Sequence, residues 1–187
     1  MRFRTVVFIL FAFVAAGCTP EPAKEAAKAP ETPAPAAAAP AAQVHGTLIQ
    51  VMRGILFPSS NVIFFAQTND PRAVKPRGDS SLATNPLEST YGGWVAVENA
   101  AISLSEAANL LTIPGRMCSN GKPVPIQNED WPKFVQGLRD AGMKAYTAAG
   151  TKNMDNMLDA ADAVSTACAN CHDKYREKPG GEKDRCM

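Results

Sequence analysis

The chain has 187 residues, 45% of them apolar and 20% charged, with 15 prolines and a formal net charge of +1. That is one globular domain's worth of sequence plus an unpacked portion. Removing Arg2 and Arg4, then the three Glu and two Lys of 19–43, takes the charge from +1 to −1 to 0 for residues 44–187. A neutral domain lacks the basic footprint that nucleic acid requires, so DNA and RNA binding are excluded as expectations.

Residues 3–17 form an almost unbroken apolar run behind Arg2 and Arg4, closing in small residues. The run is too short for a permanent membrane span and reads as a signal peptide over 1–17. Its end, Val14-Ala15-Ala16-Gly17-Cys18, resembles a bacterial lipobox, with Ala15 where leucine is usual. Cys18 is therefore expected to be acylated and to anchor the protein to a membrane on the periplasmic side. Each buried methylene of such chains contributes about 0.8 kcal/mol. The alternative is an ordinary soluble secretory protein. Residues 19–43 follow, 17 of 25 being Pro or Ala. Such a segment has nothing to bury and serves as a stiff spacer.

From Val44 to the end the pattern is helical, and no stretch alternates with period two. A first helix is predicted from near Val44, with His45, Leu48/Ile49, Met52 and Ile55/Leu56 on one face. Pro58 interrupts it, because proline lacks a backbone donor, and Ser59 or Ser60 can cap a resumption to Gln67, giving one kinked helix or two short ones. Residues 68–92, with three prolines and two glycines, read as a long loop. A second helix is predicted from Gly93 to Thr112, with Trp94, Val97, Ala101, Leu104, Ala108 and Leu111 inside. A third runs from Asp130, its N-cap, to Ala149, with Phe134, Leu138, Ala141 and Ala145 inside. A fourth follows Gly150 to about Glu177 and buries Met154, Leu158, Ala161, Val164 and Cys168. The fold class expected is all-α, an antiparallel four-helix bundle of the kind that often houses a cofactor.

The fourth helix ends in Cys168-Ala-Asn-Cys171-His172. Two thiols three residues apart can add to both vinyl groups of one haem, and the adjacent histidine is then aimed at the iron. A redox-active dithiol would need a βαβ setting. A zinc site would need two further ligands, drawn from Cys186 with Cys118 or His45. One covalent haem c is the expectation. Cys118 and Cys186 are the remaining cysteines, and an exported protein favours pairing them as a disulfide.

Only 15 residues follow His172, so a sixth ligand from the protein must lie upstream. Cys168, Cys171, His172, Tyr175 and Arg176 resemble the closing motif of the cytochrome c′ family, Cys-x-x-Cys-His-x-x-Tyr/Phe-Arg. The resemblance covers about residues 44–180, and the segment Met52–Pro58 with the loop after it departs from it. In an up-down-up-down order, the start of the first helix, the second connector and the end of the fourth helix share one end. Met52 then matches the methionine that low-spin members place on their first helix as sixth ligand. His45 and an open position are the alternatives. Arg176 is a candidate to orient His172 or neutralise a haem propionate, and Arg53 is a second propionate candidate.

The resemblance implies one-electron transfer with unidentified redox partner proteins, no catalysis, and a homodimer as one arrangement. The rival is a five-coordinate haem protein that binds nitric oxide or carbon monoxide.

Overall fold

A computed structural model describes residues 41–79, 85–176, 183 and 185–186. The chain divides into units 1–39 and 40–187, and all described residues belong to the second. The segment read as a signal peptide, Cys18 and most of the Pro/Ala-rich stretch lie outside the described residues. Among the described residues the structure is all-α, with one isolated bridge between Met117 and Pro123 and no strand.

Helix α1 spans Leu48–Phe65. It starts four residues later than expected because Thr47 caps it: the Thr47 backbone N–H and hydroxyl both donate to Gln50 Oε1, at 2.8 and 3.1 Å. Of the two readings at Pro58, one helix continuing past the proline holds and two short helices do not. The physical reason is a change of pitch just ahead of the proline. Residues Met52–Leu56 form a π-helical turn, in which the Phe57 N–H bonds to the Met52 carbonyl, and α-helix resumes over Phe57–Phe65. The wider turn carries a residue with no donor without ending the helix. Leu48, Val51, Leu56, Val62 and Ile63 are buried, whereas Ile55, Phe57 and Phe65 are exposed. By length and composition alone α1 is apolar enough to cross a membrane.

The connector to α2 contains a 3-10 turn, Pro86–Glu88. Arg77 fastens it twice, through its backbone N–H to the Glu88 carbonyl and through Nε to the Glu88 carboxylate. A Cβ at Gly92 would fall 2.1 Å from the Leu87 carbonyl oxygen, so only glycine fits there. Helix α2, Trp94–Ala107, is extended by a 3-10 segment to Thr112. All six residues expected inside it are buried. Helix α3 is Trp131–Thr151, and Lys152 ends it in the left-handed conformation at φ 54°. Helix α4, Met154–Tyr175, is capped by Asn153, whose side chain accepts from the Asn156 N–H at 3.0 Å. Met157 is buried in α4, and Leu158, expected inside, is 43% exposed.

The helices pack in sequence, α1 on α2, α2 on α3, α3 on α4, and α1 also touches α4. Small residues set the spacing between α2 and α3. A Cβ on Gly142 would meet Ser105 Oγ at 2.5 Å and the Ala101 carbonyl at 3.0 Å, both rigidly placed on α2. Gly137, on the same helix, has nothing within 4 Å of that position. Opposite signs are therefore expected. Gly137→Ala should stabilise by about 0.5–1 kcal/mol through helix propensity. Gly142→Ala should destabilise, because overpacking costs about 1–3 kcal/mol and outweighs the same gain. Urea denaturation of both variants checks this, and stabilisation by both would refute it.

At one end the chain is tied together. The Leu48 N–H donates to the Met117 carbonyl at 2.9 Å, and buried Arg116 donates to the Gly46 and Leu110 carbonyls at 2.6 and 2.9 Å. Cys118 and Cys186 form a disulfide, as expected, across 68 positions. Closing a loop of that length is worth about 4 kcal/mol in the chain-entropy account.

Candidate cofactor-binding cavity

The helices and Arg185 of the C-terminal tail line a partly open cavity of about 1050 Å³. Helix α4 supplies Cys168, Cys171, His172 and Arg176 to its wall. Offsets of three, four and eight residues put these on one face of a helix. Met52 and Arg53 enter from the π-helical turn of α1, a change of pitch that π turns often provide at functional sites. Leu104, Leu111, Trp131, Phe134, Val135 and Leu138 from the α2 and α3 segments make the wall apolar.

The last turn of α4 is held in place by Tyr175. Its hydroxyl donates to Asp130 Oδ1 at 2.6 Å and accepts from Asn128 Nδ2 at 3.0 Å. Its ring meets Trp131 edge-on, with centroids 5.0 Å apart, and Phe134 at 6.1 Å. The Tyr175 carbonyl also accepts from the Cys186 N–H. Asp130 was expected as the N-cap of α3, but its side chain makes no capping bond. Its carboxylate is taken instead by Tyr175 and by an ion pair with Lys174.

Those two partners, Lys174 first and the Tyr175 hydroxyl second, hold the Asp130 carboxyl below its usual range. A carboxylate depressed in the folded state contributes stability above its unfolded pKa and loses it as pH falls through the folded value. Asp130→Asn should therefore flatten the stability profile at pH values below the usual carboxylate range. Acid titration followed by circular dichroism checks this; an unchanged profile would show that the pair is idle.

Cys168 and Cys171 are half-buried and not bonded to one another. Burial raises both thiols, and Cys171, with Cys168 and Asp130 adding to burial, is pushed up to about 11. A redox-active dithiol needs a thiolate near neutral pH, so this environment is the wrong one for that chemistry. The zinc alternative also loses its extra ligands, since Cys118 and Cys186 are spent on each other. His45 is exposed and does not line the cavity, which corrects its candidacy as sixth ligand. Among the described residues Met52 is the methionine on the wall: Met117 and Met143 are exposed and Met157 lies in the core.

One wall residue escaped the sequence reading. Arg185 lines the cavity, and its Nε is buried without a hydrogen-bond partner. The signal was available, because a Cys118–Cys186 bridge must bring the neighbour of Cys186 back to the same end.

The donor set suits a covalent haem. Two thiols and an imidazole share one face, a thioether comes from another helix, the walls are apolar, and an unpaired guanidinium nitrogen can take a carboxylate. No family model matches this chain, and neither a curated protein nor a solved structure matches it.

Proposed function

We propose that this protein is a monohaem c-type cytochrome, an antiparallel four-helix bundle similar to cytochrome c′ that transfers single electrons. One observation carries the reading. Cys168, Cys171, His172, Arg176, Met52 and Arg53, picked from distant parts of the sequence, line a single cavity. The bonds tying the start of α1 to the second connector, and the end of α4 to the start of α3, support the up-down-up-down order.

Bound haem c would supply an iron centre that cycles between two oxidation states. Cys168 and Cys171 would hold it through thioether bonds, with His172 and Met52 as the residues that would bind its iron. A neutral, soft thioether raises the potential. With two protein residues bound to the iron, nothing would need to bind or leave during electron transfer. The apolar side chains of α2 and α3 would exclude water, and Arg53 and Arg176, both on the cavity wall, would balance propionate charge. The disulfide suits an oxidising compartment, in keeping with export, lipid anchoring at Cys18 and redox partners on the periplasmic side.

The test is the full chain made in cells equipped to attach haem c. Intact mass should show one haem that survives acid–acetone extraction, and Cys168→Ser/Cys171→Ser should lose it. The reduced protein should show narrow, split visible bands. Absence of covalent haem would sink the proposal. Broad high-spin bands with rapid carbon monoxide binding would replace electron transfer with gas binding.

A further inference from the structure

We propose that Arg185 is an anion ligand of the cavity, locked in place by the Cys118–Cys186 disulfide, and that it binds a carboxylate of the haem. The inference rests on the haem reading above. It deepens that reading by giving the disulfide a role in the site.

The backbone around Arg185 is fastened on several sides. Cys186 is bonded to Cys118, and its N–H donates to the Tyr175 carbonyl at 3.0 Å. The Arg185 carbonyl accepts from Asn120 Nδ2 at 2.5 Å, and the same amide reaches the Lys183 carbonyl at 3.1 Å. Asn120 lies two residues from Cys118, so disulfide and amide work as one clasp. The side chain stands in contrast to this backbone. Arg185 Nε is buried and has no partner, although it belongs to a permanently charged group. Buried Arg116, at the same end, directs its guanidinium to two carbonyls. The residue is half-buried, but its Nε is a donor withdrawn from water and left unmatched, which is costly unless an acceptor arrives.

The cavity determines what that acceptor is. Its charged wall residues are Arg53 on α1, Asp173 and Arg176 on α4, and Arg185 on the tail, a balance of three positive to one negative. Helices α2 and α3 contribute apolar side chains. A ligand that is broad and apolar, with carboxylates at its edge, complements such a wall. Arginine is the residue best shaped for a carboxylate.

The experiment measures the midpoint potential of the full-length protein with haem attached. Removing a positive charge from the wall of the haem cavity favours the ferric form. Arg185→Gln should lower the ferrous-to-ferric ratio at fixed electrode potential about three- to tenfold, about 30–60 mV at 59 mV per tenfold. Arg185→Lys, which keeps the charge, should recover most of the loss. Cys118→Ser/Cys186→Ser should produce a similar fall, and adding Arg185→Gln to it should lower the ratio no further. An unmoved potential in Arg185→Gln with haem attached overturns this inference and leaves the cytochrome reading standing. So does Lys behaving like Gln, or full additivity of the two changes. Protein without covalent haem sinks both.

Discussion

Met52→Ala should keep its haem and change its colour. On the cytochrome reading the covalent hold would be at Cys168 and Cys171 on α4, so a change on α1 should leave attachment intact. The sixth position is vacated, the reduced iron turns high spin, and carbon monoxide binds readily. Loss of the thioether also lowers the potential, by more than a tenfold change in the ferrous-to-ferric ratio, above about 60 mV. Visible spectra and a redox titration read all three effects. A variant indistinguishable from the parent would reduce Met52 to packing and leave an open iron, since His45 is away from the cavity.

The largest loss of stability is expected at Trp131. It is 2% exposed, its indole N–H donates to the Leu111 carbonyl at 3.0 Å, and its ring braces Tyr175. Trp131→Ala removes all three and opens a void, at a cost of about 3–5 kcal/mol. Trp131→Phe keeps most of the volume but strands the Leu111 carbonyl, which costs about 1–3 kcal/mol. Urea denaturation ranks the two, and a loss below about 1 kcal/mol for alanine would show that α4 is held by other contacts. Because the same indole forms part of the cavity wall, haem attachment in these variants should suffer along with stability.

Helix α2 was fully legible in the sequence because its apolar steps of three and four admit one face, and every residue on that face is buried. Helix α4 was less so. Met157 and Leu158 are adjacent, both fit a 3.6-residue ladder with Ala161 and Val164, and leucine is the more apolar. Packing in the core buries Met157 and leaves Leu158 exposed, and that choice is tertiary. In α1, Pro58 left one kinked helix and two short ones both open, because a sequence gives no sign that a π turn will absorb the proline. The cavity was legible where chemistry is written in a motif, at Cys168, Cys171 and His172. It was not legible at Asp130, whose position ahead of a helix suggested a cap. Its carboxylate prefers a tyrosine hydroxyl and an ammonium 45 and 44 positions away.

The Cys118–Cys186 bond turns the C-terminal part of the chain into a covalent ring that contains α3, α4 and the thiols at 168 and 171. A protease that cuts once inside that ring, at the exposed residues Lys152 and Asn153 between the helices for example, releases no fragment. The nicked molecule keeps its mass, apart from one added water, until a thiol is added. A cut in the connector between α1 and α2 lies outside the ring and frees the segment that carries Met52. One class of damage is therefore silent on a non-reducing gel, and the other separates the two halves of the cavity wall.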